Sequence, residues 1–163
     1  SLLDIPTEKS SFTISLQLMG SLCGILLGGI IADRIVRHDL ATASIVTFGV
    51  CLLWTVPVFQ PNSLSILLPI FILFGFSYGM AQPSRDMVVR SVAPSGAAGK
   101  VFGFTYSGMD FGSAIAATVF GFLLSEGEAQ TVFILVGVFM MLGVMSVLLA
   151  KFTGKKTSAA LAE

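Results

Sequence analysis

The chain has 163 residues, of which 55% are hydrophobic and only 11% charged, and its mean hydropathy is +0.93. A soluble domain carries charge on about a quarter of its residues, and so few charges cannot cover this much apolar surface. The composition excludes an ordinary soluble globular protein and leaves an integral, multi-pass membrane protein, with membrane lipid around it and no nucleic-acid partner expected. The formal net charge of zero says little, because the information lies in how the charges are distributed.

The opening SLLDIPTEKSS is loop-like, lacks an initiator Met, and has none of the charged n-region, short apolar core and cleavage site of a signal peptide. It reads as part of a longer protein. Five apolar runs follow, at about 12–31, 41–59, 64–81, 101–124 and 132–150. Each approaches the roughly 20 residues that a helix needs to cross a bilayer. A transmembrane β-barrel would need strands alternating apolar and polar residues. A continuous run such as SLSILLPIFILFGF does not alternate, so the expected fold is all-α: one membrane bundle of five transmembrane helices.

The first run carries Gln17 and the row Gly20, Gly24, Gly28; the third has Gly75 and Gly79, and the fourth Gly108 and Gly112. Small residues at four-residue spacing let helix backbones approach closely in lipid, and these rows are expected to form contacts between helices of this chain. Cys23 and Cys51 sit in different runs without CxxC spacing, so each is expected to be a small buried hydrophobe and neither to hold a metal or act in redox chemistry. Pro57 and Pro69 each remove a helical hydrogen bond and can bend their helices. Tight turns are expected at 60–63 and 125–128. The stretch after residue 81 is expected to begin as a helical extension and break near Pro94-Ser95-Gly96, and the tail KFTGKKTSAALAE to be a short solvated end. The fifth run has no ionisable group and reads as a peripheral, lipid-facing helix.

Basic residues set orientation. Arg34 and Arg37 follow the first run, Arg85, Arg90 and Lys100 follow the third, and Lys151, Lys155 and Lys156 follow the fifth. Lys9 alone lies on the opposite side. The N-terminus is therefore expected outside and the C-terminus in the cytoplasm, in a bacterial inner membrane.

Asp110 is the one ionisable group inside an apolar run as these runs are bounded. Ten residues from Lys100, at ~1.5 Å each, place it roughly 15 Å deep, near the midplane of a ~30 Å hydrocarbon core. A charge there is costly by about 2.5–3.5 kcal/mol or more, so it is expected to face a bundle interior or a wet cavity. At 100° per residue, Gly99, Gly103, Tyr106, Ser107, Ser113, Ala114, Ala117 and Gly121 fall within about 60° of Asp110, and Phe104, Phe111, Ile115 and Phe122 fall opposite. Asp110 either bonds a neighbouring helix or binds solute or a coupling proton. Tyr106, Ser107 and Ser113 stand within one turn to assist.

The segment Gly29-Ile30-Ile31-Ala32-Asp33-Arg34-Ile35-Val36-Arg37-His38 resembles the cytoplasmic signature of the major facilitator superfamily. Gly29, Asp33, Arg34 and Arg37 match; Val36 departs from a usual Gly, and His38 stands at the second basic position. This weaker form is similar to the copy in the superfamily's second half, as are Gln82-Pro83-Ser84-Arg85-Asp86 and Gly96-Ala97-Ala98-Gly99-Lys100. The resemblance implies that the five spans are the eighth to twelfth helices of a twelve-helix carrier. The seventh helix and the N-terminal half, its partner, would then be missing. It further implies cavity-lining roles for Gln17, Ser77 and Tyr78, each otherwise a routine interhelical hydrogen bond. Gly29, Asp33, Arg34 and Arg37 would form a conformational latch between the two halves.

The function expected is secondary active transport of a small solute by alternating access, coupled to protons, without a cofactor. A non-transporting scaffold or assembly subunit is the alternative. An intramembrane protease is remote. Aspartyl chemistry needs two carboxylates sharing a site, no HExxH motif is present, and the one His, His38, lies at the membrane edge.

Overall fold

The structure is a computed structural model that describes residues 7–35, 37–59, 64–94 and 96–160. Five helices follow in order: α1 (Thr7–Ala32), α2 (His38–Phe59), α3 (Leu64–Val92), α4 (Ala98–Ser125) and α5 (Ala129–Ala160). All five contain a stretch long and apolar enough to span a membrane. The five expected spans fall one on each helix. The expected turn at 60–63, and Ser95 within the break after α3, lie outside the described residues.

The helices outrun the apolar runs at several ends. The helical extension of the third run is realised: α3 continues through Pro83 to Val92, with Pro69 and Pro83 inside it. Proline is accommodated in helices embedded in a bundle because neighbouring groups satisfy the freed carbonyl. The tail, expected as a short solvated end, continues α5 as helix to Ala160. After Gly154 the stretch 155–160, KKTSAA, holds no Gly or Pro to break the helix, and the backbone continues its hydrogen-bond ladder.

Between α4 and α5 the turn is closed by Gly127, whose φ of +81° is a left-handed conformation that favours glycine. The amides of Glu126, Gly127 and Glu128 return to the carbonyls of Phe122, Leu124 and Leu123, at 3.2, 3.1 and 2.9 Å. They thereby satisfy the last carbonyls of α4. The Thr131 hydroxyl donates to the Glu128 carboxylate at 2.7 Å in the first turn of α5.

The core of the bundle is the crossing of α1 with α3. An ideal Cβ on Gly20 would stand 2.6 Å from the Ile72 carbonyl oxygen, and one on Gly28 2.6 Å from that of Met80. On Gly24 it would strike the Phe76 carbonyl; on Gly75 and Gly79 it would strike the carbonyls of Gln17 and Ser21. Residue numbers rise together along both helices, so α1 and α3 run parallel. That direction agrees with two membrane crossings separating them. In lipid no hydrophobic gain separates helix–helix from helix–lipid contact, so close backbone packing decides association. Glycine rows on both helices provide it.

α2 lies against α3 through Gly49, which faces Ser77 and Phe74, and against α5 through Trp54, whose indole covers Gly137. Val50, Leu53, Val56, Leu67 and Ala81 are buried in these seams. Phe71 of α3 also meets Phe133 of α5, with ring centroids 6.3 Å apart. The outward side of α5 (Ile134, Val138, Phe139, Leu142 and Met145) is exposed, as a peripheral helix requires.

Two expectations about packing are corrected. Gly108 and Gly112 have nothing within 4 Å of an added Cβ, so the glycine row of α4 makes no helix contact among the described residues. Both cysteines are exposed, not buried, and Cys23 lines an open groove beside the α1–α3 crossing.

Replacing Gly24 or Gly79 by Leu is expected to destabilise the full-length protein by about 1–3 kcal/mol or more, because backbone and not a flexible side chain must move. Gly29→Ala and Gly121→Ala, where an added Cβ meets nothing within 4 Å, are expected to stay within about 0.5 kcal/mol of wild type. Thermal unfolding in detergent would separate the two classes.

Candidate functional site

α4 stands apart from the rest of the bundle. It is 28 residues long, and none of them is buried. Phe104, Phe111 and Phe122 are exposed on one side at 85%, 72% and 65%, where lipid is the natural solvent. Asp110 is exposed on the other, at the middle of the helix, with Ser107, Ser113 and Ala117 exposed beside it. Added Cβ atoms on Gly99, Gly103, Gly108, Gly112 and Gly121 meet nothing within 4 Å. The small and polar stripe expected from the helical wheel is therefore present as an open surface, and Asp110 is not sealed inside the bundle.

The neighbours of Asp110 divide their hydrogen bonds differently from expectation. Ser113 donates to the Asp110 backbone carbonyl at 2.8 Å, one turn back along the helix, and not to its carboxylate. Tyr106 turns the other way. Its hydroxyl donates to both carboxylate oxygens of Asp86 on α3, at 3.3 and 3.2 Å. Arg85 donates to the same carboxylate from Nε at 3.3 Å and Nη2 at 3.1 Å. Consecutive helical residues point about 100° apart, so the Arg85 side chain curls across the face of α3 to reach Asp86. Its guanidinium carbon then lies 5.8 Å from the centroid of the Tyr106 ring, in reach of a cation–π contact. Phe102 stacks on the other part of this group, with centroids 6.2 Å from Tyr106 and planes 21° apart.

Sequence reasoning placed Arg85 and Asp86 in a family-like segment but gave neither a site role, because the third run was bounded at residue 81. With α3 helical to Val92, both lie within the apolar stretch Ser65–Ser91, and Asp110 is not the only carboxylate in a spanning helix. The helical extension expected after residue 81 was the signal that could have placed both charges on α3.

The remaining candidates are scattered. Ser77 is 3% exposed and donates to its own helix at the Leu73 carbonyl, 2.8 Å away, so it belongs to the α2–α3 seam. Tyr78, next along α3, is exposed and stacks on Phe74 at 6.4 Å. Gln17 is half-buried where α1 meets Gly75. Asp33, Arg34 and Arg37 are exposed beyond the end of α1, and Gly29 faces open space; Val36 lies outside the described residues. Among all these, the structure brings together Asp110, Ser107, Ser113 and Tyr106 along α4, and joins Tyr106 to Asp86 and Arg85.

An apolar groove of about 480 Å³ opens between α4 and α5, lined by residues such as Gly112, Ile115, Val119, Phe139 and Met140. It has no polar group to recognise a hydrophilic solute and suits a lipid acyl chain.

Five helices long and apolar enough to span a membrane, with an exposed carboxylate midway along α4 and a basic Asp-Arg segment after α1, define a polytopic membrane protein. The chain belongs to the Major Facilitator Superfamily, whose profile matches residues 3–163. It is 31% identical over 156 residues to a 3-(3-hydroxy-phenyl)propionate transporter of Escherichia coli (strain K12), a match that takes in 93% of this chain and 38% of that relative. The chain thus spans well under half the length of the curated relative it matches. No solved structure matches.

Since the Asp110 side chain meets open space, Asp110→Asn is expected to leave thermal stability within about 0.5 kcal/mol of wild type. A fall of several degrees in the midpoint, measured by differential scanning fluorimetry in detergent, would give the carboxylate a structural role.

Proposed function

We propose that this chain forms the eighth to twelfth helices of a twelve-helix secondary transporter that carries a small aromatic carboxylate together with protons. The seventh helix and the N-terminal half would complete it. The observation that carries the reading is Asp110, exposed on the small and polar side of a helix that no described neighbour buries. A carboxylate at that depth is costly unless it borders water or a partner, and a surface lined by glycine and serine leaves room for both. A scaffold role fits less well, because it would want Asp110 bonded within the assembly.

The relative named for 3-(3-hydroxy-phenyl)propionate transport supports the solute class. Its chemistry also suggests a division of labour. A carboxylate solute and an ionised Asp110 repel one another in a low-dielectric cavity, so Asp110 is better suited to hold the coupling proton than to hold the solute. Protonated, it admits the anion, and one proton with one anion crosses without net charge. Ser107 and the exposed Tyr78 ring offer a hydrogen-bonding group and a stacking surface for a phenol. Asp33, Arg34 and Arg37, exposed beyond α1, are placed to pair with charges of the other half and to bias the carrier toward one orientation. The concentration of Arg34, Arg37, Arg85, Arg90 and Lys100 between alternate spans supports a cytoplasmic location for these loops, in a bacterial inner membrane. No enzymatic step is proposed.

In vesicles holding the full-length carrier, Asp110→Asn is expected to abolish uptake driven by a pH gradient while leaving exchange of solute down its own gradient. Undiminished proton-driven uptake at equal expression would remove Asp110 from the mechanism. Asp33→Asn is expected to shift the balance between the two orientations, which a changed maximal rate together with a changed apparent half-saturation at equal expression would register.

A further inference from the structure

We infer that Asp86 and Tyr106, with Arg85 behind them, form a releasable clasp between α3 and α4, and that its closure sets where the Asp110 face of α4 stands. The clasp rests on the carrier reading only for its part in the transport cycle.

Three observations support it. α4 has no buried residue, so no packed interface fixes its distance from α3. The hydrogen bonds from Tyr106 to Asp86 are the side-chain bonds between α3 and α4 among the described residues, at 3.2 and 3.3 Å. Tyr106 is also one helical turn from Asp110 along α4, so a shift of the Tyr106 anchor is transmitted to Asp110 by a rigid helix.

The chemistry suits a switch more than a permanent brace. The Asp86 carboxylate accepts bonds from a phenol and a guanidinium at once, and at 3.1–3.3 Å all of them are long for bonds to a charged acceptor. All three groups are also only partly enclosed by protein, with side-chain exposures of 26% for Arg85 and 38% for Asp86, so no packing seals the bonds. Tyr106 retains a second mode of contact when the bond opens, through its stack on Phe102 and the guanidinium over its ring. Asp86 and Tyr106 are therefore positioning residues that act through α4 on Asp110.

The test uses the full-length carrier with Cys23→Ser and Cys51→Ser, and with Gly103→Cys as reporter. Gly103 is exposed on α4, one turn from Tyr106, and an added side chain there meets nothing within 4 Å. Labelling of this cysteine by a membrane-impermeant maleimide is followed with and without solute. Tyr106→Phe and Asp86→Asn are each expected to change the labelling rate about three- to tenfold in the same direction, as loss of one partly exposed, charge-assisted bond implies. Their combination is expected to add nothing further, and Asp86→Glu to stay within about twofold of the parent. Unchanged labelling in both single variants, or additive changes in the double variant, overturns the clasp. Tyr106→Phe keeps the ring and its stack, so it reports even where Asp86→Asn fails to fold. Labelling requires no transport: a carrier in which Asp110→Asn still couples to protons would defeat the proposed function while leaving this result standing.

Discussion

The architecture depends on two backbones touching. α1 and α3 are held side by side because glycines on each leave space into which the other's carbonyls fit, Gly20, Gly24 and Gly28 from one side and Gly75 and Gly79 from the other. Nothing in a lipid environment rewards hiding an apolar side chain from its equally apolar surroundings. The interaction that remains is contact, and its strength falls steeply once a methyl group intervenes. Fixing α1 parallel to α3 determines the rest: α2 must cross back between them in sequence, and α5 finds its place on α2 through the seat that Gly137 makes for Trp54.

The packed part and the open part of the molecule divide along this line. α1, α2, α3 and α5 share glycine-mediated or aromatic seams, whereas α4 presents both its faces outward. A helix with phenylalanines on one face and glycines and serines on the other is not redundant in both directions. The greasy face matches lipid. The small face carries Asp110 and is bonded to α3 through Tyr106. The proposed part of Asp110 in proton movement rests on that carboxylate being exposed and not sealed in the bundle.

Much of this was legible in the sequence, and the failures have physical causes. Helix number, the all-α class and the α1 and α3 glycine rows follow from run length and four-residue spacing, which bilayer thickness and helix geometry translate directly into structure. The same spacing misled for Gly108 and Gly112, because a small residue permits close approach without stating which neighbour will approach. Cys23 and Cys51 fail similarly: apolar character in a membrane helix does not distinguish lipid from protein. Asp110 was visible because a lone charge interrupts an apolar run. Asp86 was not, because hydropathy falls at residue 82 while helicity continues to Val92, and its meeting with Tyr106 joins positions 20 residues apart on different helices.

Trp54 is the only tryptophan in the sequence, and its indole nitrogen is buried without a hydrogen-bond partner while its ring lies on Gly137. An indole so enclosed and unsolvated emits at short wavelength, and parting of α2 from α5 would shift that fluorescence to the red. Within this chain the chromophore reports on the seam that α2 makes with α5. Light emission and secondary structure followed together would therefore reveal whether this seam and the α1–α3 crossing come undone in one event or in sequence.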